Sequence, residues 1–111
     1  MEMKELLEFV DRTLSNAGKW SFYQDQDITK RIFAQTVKLT EEIGELSSEI
    51  LWNTWVVRKE KLSRYSAETL QDEFADVIIV TIRLAKLMNV DIRSALKNKT
   101  EKIKQRIVDA Q

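Results

Sequence analysis

Apolar residues recur along this chain at helical spacing, and the spacing predicts four helices. Leu6, Phe9, Val10, Thr13 and Leu14 fall on one face of a helix over roughly residues 2–16, with Asn16 and Gly18 as its stop signal. A loop from Gly18 to Asp27 follows, holding Trp20, Phe22 and Tyr23 among polar residues. Ile28, Ile32, Leu39, Ile43, Leu46 and Ile50 then mark the buried stripe of a long second helix over roughly 28–60, with Asp27 as its N-cap. The stretch from Ser63 to Ser66 is the next break. Ser66 caps a third helix over roughly 67–88, whose apolar face is Leu70, Phe74, Val77, Thr81, Leu84 and Met88. Asn89 suits a left-handed C-cap, and Asp91 caps a fourth helix to about residue 108 that carries Ile92, Leu96, Ile103 and Ile107.

Composition sharpens this picture. The 111 residues contain no Pro and two Gly, so little interrupts the helices, and their number suits a single domain spanning residues 1–111. There is no Cys and no His, which excludes disulfides, thiol nucleophiles, imidazole bases and soft-metal sites. Any chemistry must rest on carboxylates, Lys, Arg, hydroxyls or a hard metal ion. Lys plus Arg and Asp plus Glu are 18 each, so no net charge draws the chain to nucleic acid or anionic lipid. No apolar run reaches membrane-span length, and Met1-Glu2-Met3-Lys4-Glu5 is no signal peptide. The expectation is a cytoplasmic protein without nucleic-acid or membrane partners.

Acidic spacing is the informative feature. Glu42 and Glu45 on the second helix, and Glu73 and Asp76 on the third, are i, i+3 pairs whose side chains lie nearly above one another. Each pair sits beside its helix's apolar stripe. If the two helices pack antiparallel, the pairs face each other across the seam. Four carboxylates gathered there repel unless a cation joins them, and oxygen ligation suits Mg²⁺ or Mn²⁺. One such pair is ordinarily a solvated or ion-paired helix surface; two pairs in matching positions change that balance. Gly44, between Glu42 and Glu45, costs roughly 1 kcal/mol against Ala in a helix. It suggests close backbone approach or room for a ligand, or it is simply tolerated.

The run Lys38-Leu-Thr-Glu41-Glu42-Ile-Gly-Glu45-Leu, followed by Asp72-Glu73-Phe-Ala-Asp76-Val-Ile, resembles the E-E-x-x-E and E-x-x-D pattern of the all-α nucleoside triphosphate pyrophosphohydrolases, the MazG-like superfamily. The likeness extends over most of the chain, including Leu84-Ala85-Lys86 to Asp91 and Ala95-Leu96. It implies a four-helix bundle assembled as a homo-oligomer. It implies Mg²⁺-dependent cleavage of a nucleoside triphosphate between the α- and β-phosphates, giving a monophosphate and pyrophosphate. By the same resemblance, Glu42, Glu45, Glu73 and Asp76 would be metal ligands, and Glu41 would support the attacking water or a further metal. Lys99, Lys102 and Arg106 would meet phosphates from the last helix. That helix has no Asn in the family's register, where Thr100 or Ile103 stands.

Other residues keep two readings. Lys38 reaches a phosphate as a point charge, or is an i, i+4 partner of Glu42. Trp20, Phe22 and Tyr23 are candidates to stack on a base, whereas Trp52 and Trp55 suit packing better. A helix of about 33 residues spans roughly 50 Å and outreaches so small a core, which suggests a homodimer or a tetramer built from dimers. The resemblance adds that a neighbouring subunit often completes the site. Two alternatives stay open: a non-catalytic helical oligomerisation or regulatory module, and a related pyrophosphohydrolase acting on phosphoribosyl-ATP.

Overall fold

The computed structural model describes residues 1–20, 27–56 and 67–111, with the side chains of residues 15–20, 56 and 67 left aside. The described residues form helices and no strand. The elements are α1 (Met3–Trp20), α2 (Ile28–Leu51) running into a five-residue π-helical turn (Trp52–Val56), α3 (Ala67–Leu87) and α4 (Ile92–Ala110). Asp27 caps α2 as its spacing predicts, accepting a hydrogen bond from the Lys30 amide at 3.0 Å. Asp91 caps α4, accepting from the Ser94 amide at 3.2 Å and its hydroxyl at 2.9 Å. Asn89 takes the left-handed conformation at φ 57°, and the Val90 amide then donates back to the Ala85 carbonyl, closing α3.

Two boundaries differ from the sequence expectation. Helix α1 continues through Gly18 to Trp20, so Trp20 ends a helix instead of sitting in a loop. Phe22, Tyr23 and Ser66 lie outside the described residues. Regular α-helix in α2 stops at Leu51. There the Asn53 side-chain amide donates to the Glu49 carbonyl at 2.7 Å, taking the acceptor that an α-helix offers to the backbone four residues on. The π turn begins at that point.

The buried faces also differ. Ile28, Ile43 and Ile50, expected inside, are half exposed, as are Phe74 on α3 and Met88 just past its end. The sheltered line of α2 instead runs through Ile32, Gln35, Leu39, Glu42, Leu46 and Glu49, and Glu42 is its one fully buried member. That line packs along α3, where Glu73, Val77, Val80, Leu84 and Leu87 face inward. Among the described residues Val10, Val80, Ile82 and Leu87 are the buried apolar side chains.

Helix α1 lies against α3, tied by an ion pair between Lys86 and Asp11 at 2.7 Å and a hydrogen bond from Arg83 to Thr13. Helix α4 has no buried residue. The radius of gyration is 17.6 Å, against about 13 Å for a compact chain of this length. Among the described residues no helix is long and apolar enough to cross a membrane.

Candidate metal centre

Glu42 and Glu73 reach the α2–α3 seam because each occupies an inward position of its helix. Asp76 stands one turn after Glu73, on the rim. The result is a triad: one carboxylate oxygen from each of Glu42, Glu73 and Asp76 lies within 4.8 Å of the others. Glu45 is outside that triad but close enough to Glu73 to act on it. Glu45 therefore faces the earlier α3 residue, while Glu42 and Asp76 share a cleft; this is the register of antiparallel helices.

Burial makes the triad costly without a cation. Glu42 is 5% exposed. Its Oε1 accepts an ion pair from Lys38 at 3.1 Å, whereas Oε2 is buried with no hydrogen-bond partner among the described residues. Glu73 Oε2 is buried and unpartnered in the same way. Removal from water raises the Glu73 carboxyl above its ordinary value, and repulsion from Glu45, Asp76 and Glu42 pushes it further in the same direction. Lys38 is held above its usual value, first by its hydrogen bond to Glu42 and then by that carboxylate's charge. Orphaned buried oxygens on two converging carboxylates fit a hard divalent cation, for which all-oxygen ligation is normal.

A cleft of about 440 Å³ opens beside Glu42 and Asp76, within the range of small-molecule sites. Its lining includes Phe9, Lys38, Glu42, Asp76, Val80 and Arg83. Two cations thus flank two of the carboxylates, which suits an anionic ligand that also carries a metal. Phe9 and Arg83 escape sequence reasoning. Phe9 reads as core by periodicity but is 42% exposed, and Arg83 is an unremarkable basic residue until α1 and α3 are docked.

The remaining candidates lie elsewhere. Glu41 is exposed on α2, beside the triad but outside it. The side chain of Trp20 is not among those described. Lys99, Lys102 and Arg106 are exposed on α4, and among the described residues no α4 side chain lines the cleft. The reason is the Asn89 turn, which sends α4 to the other flank of α3. There Ile92 and Leu96 share an apolar groove with Met3, Leu6, Ile78 and Ile82. Among the described residues Gly44 has nothing within 4 Å of where a Cβ would stand, so no close approach among them explains it.

Residues 36–111 match the family described as the MazG-like family. No curated protein and no solved structure matches the chain. The matched stretch includes α3, α4 and all of α2 from Thr36 onward, and so every member of the triad.

Proposed function

The chain belongs to the MazG-like family, and from that premise we propose that it is a divalent-metal-dependent nucleotide pyrophosphohydrolase. Its substrate is a nucleoside or deoxynucleoside triphosphate, cut between the α- and β-phosphates to a monophosphate and pyrophosphate. The observation that carries this reading is the convergence of Glu42 and Glu73, each with one buried, unpartnered carboxylate oxygen, beside Asp76.

Glu42, Glu73 and Asp76 would hold Mg²⁺ or Mn²⁺, with Glu45 completing the set. The ion, when bound, would supply neutralisation of phosphate charge and a bound water of lowered pKa. The chain's own contribution is positioning. Lys38 sits at the cleft edge, where its ammonium draws a phosphate toward the carboxylates as a point charge. Val80 and Phe9 give the cleft an apolar wall that limits water access. Glu41, next to the triad on the exposed side of α2, would orient a water from outside the cluster.

We also propose a homodimer, or a tetramer of two dimers. The described residues leave Phe33, Val37 and Leu51 on α2, Trp55 in the π-helical turn, and Leu96, Ile103 and Ile107 on α4 between 43% and 65% exposed. Such faces call for a covering partner. Helix α4 carries six Lys or Arg against two acidic residues. In the assembly Lys99, Lys102 and Arg106 would reach phosphates in a neighbouring copy's cleft.

The test combines melting and product analysis. Mg²⁺ or Mn²⁺ should raise the melting temperature, and a panel of nucleoside triphosphates should yield monophosphate and pyrophosphate. Glu42→Gln and Asp76→Asn should abolish turnover with helicity intact. Melting that ignores both ions, with no pyrophosphate released, would identify an inert helical module. Turnover of phosphoribosyl-ATP alone would move the substrate to that branch of the superfamily.

A further inference from the structure

We propose that Arg83, held in place by Thr13 of α1, is a polyphosphate-binding residue of the cleft. The inference rests on the proposed function, since the ligand is the phosphate chain of the substrate. Arg83 lies within the matched residues 36–111, but the α1 residues that support it, Phe9, Val10 and Thr13, lie ahead of that stretch.

Three observations converge on it. Arg83 stands two turns beyond Asp76 on α3 and lines the same cleft as Lys38, Glu42 and Asp76. Its Nε donates to Thr13 Oγ1 at 3.2 Å. Thr13's own hydroxyl donates to the Val10 carbonyl at 2.8 Å, which leaves its lone pairs to accept from Arg83. Because Val10 is fully buried, this acceptor is anchored to the core.

The guanidinium therefore has its Nε fixed and its orientation set. Among the described residues it makes that one hydrogen bond and no ion pair, although it is only partly exposed and two carboxylates, Glu42 and Asp76, line the same cleft. A partly sheltered arginine with its terminal N–H groups unengaged, facing a cleft, is built to receive an anion. The planar fork of those groups matches two phosphate oxygens at once. Lys38 and Arg83 then border the carboxylates as a pair of cations, one from α2 and one from α3. In this arrangement α1 is part of the binding site: Thr13 is a positioning residue, and Phe9, one turn earlier, forms the wall beside it.

The experiment measures binding of inorganic tripolyphosphate in the presence of Mg²⁺ by calorimetry, and Mn²⁺ binding alone by electron paramagnetic resonance. Arg83→Gln should weaken tripolyphosphate binding about tenfold or more and leave Mn²⁺ affinity unchanged. Thr13→Val, which alters no charge, should weaken it by about threefold, and Thr13→Ser should restore it. In steady-state assays the Thr13→Val effect should fall on KM more than on kcat. If the wild type binds both Mn²⁺ and tripolyphosphate, and Arg83→Gln binds the latter equally well, the inference is overturned while the metal-site reading stands. If Arg83→Gln loses its helical signal, Thr13→Val decides, and unchanged tripolyphosphate affinity there also overturns it. A wild type that takes up neither probe overturns the proposed function itself, and this inference with it.

Discussion

Lys38 Nζ lies 3.1 Å from Glu42 Oε1, one turn away on α2, and it pairs a carboxylate whose other oxygen is buried without a partner. The two side chains differ sharply in exposure, 49% for Lys38 and 7% for Glu42. A solvent-accessible ammonium thus neutralises an inaccessible carboxylate. This is a place a divalent ion can take over, since the mobile partner can leave while the fixed one stays.

Replacing Lys38 by Met should show that exchange. The metal-free protein loses about 1 kcal/mol, at the low end for an orphaned buried carboxylate because Lys38 is half exposed. Affinity for Mn²⁺ should rise several-fold, because no ammonium competes for Glu42. Mn²⁺ titration of both proteins checks this; a Lys38→Met variant that binds the ion more weakly would mean that Lys38 supports the site and does not compete for it.

Glu73 links the site to pH. Its carboxyl is raised by burial first and by its acidic neighbours second, so the native chain holds this proton more tightly than the unfolded chain does. The stabilisation from that proton is fully present below the ordinary glutamate value of 4.5 and is lost as pH rises through the elevated native value. Metal-free protein should therefore lose stability over the weakly acidic range. Glu73→Gln should flatten that part of the profile and remove the stabilisation by Mn²⁺. Melting curves in a chelator, across acid to neutral pH, measure the first; a profile identical to wild type would rule out Glu73 as the group responsible.

Phe33, Val37, Gly44 and Leu51 share the outward face of α2 at heptad spacing, with Phe33 and Leu51 each 65% exposed. The chain should sediment as a dimer or tetramer. Phe33→Asp should shift it to monomer, weakening association by about tenfold or more. A wild type that sediments as a monomer at high concentration removes the oligomer from the proposal.

Gly44 reports on the same face. Nothing among the described residues crowds a Cβ there, so in the Phe33→Asp monomer Gly44→Ala should add about 0.5–1 kcal/mol of stability through helix propensity. In the assembled wild type the same methyl group should loosen association, if the two copies approach closely at this glycine. Paired melting and sedimentation separate the effects; equal stabilisation in both backgrounds would show that no second chain packs on Gly44.

What the sequence determines by itself is local. Breaker content and apolar spacing dictate helices, and the caps Asp27, Asn89 and Asp91 follow from short-range chemistry: a side-chain oxygen meets a free amide, or a residue tolerates a left-handed backbone. The paired acidic spacing is legible for the same reason, because i, i+3 neighbours share a helix face in any fold. Tertiary structure decides which face points inward. Helix α2 is apolar on two sides, so periodicity marks Ile28, Ile43 and Ile50 as core although packing on α3 leaves them half exposed and buries Glu42 instead. It decides, too, that Glu73 and Asp76 meet Glu42 while Glu45 stays outside the triad. The partners of the cleft, Phe9 and Arg83, come from helices joined only by docking, with Thr13 and Arg83 meeting across 70 residues of chain. No spacing rule spans that separation, because the contact is fixed by how α1 packs on α3 and not by either helix alone.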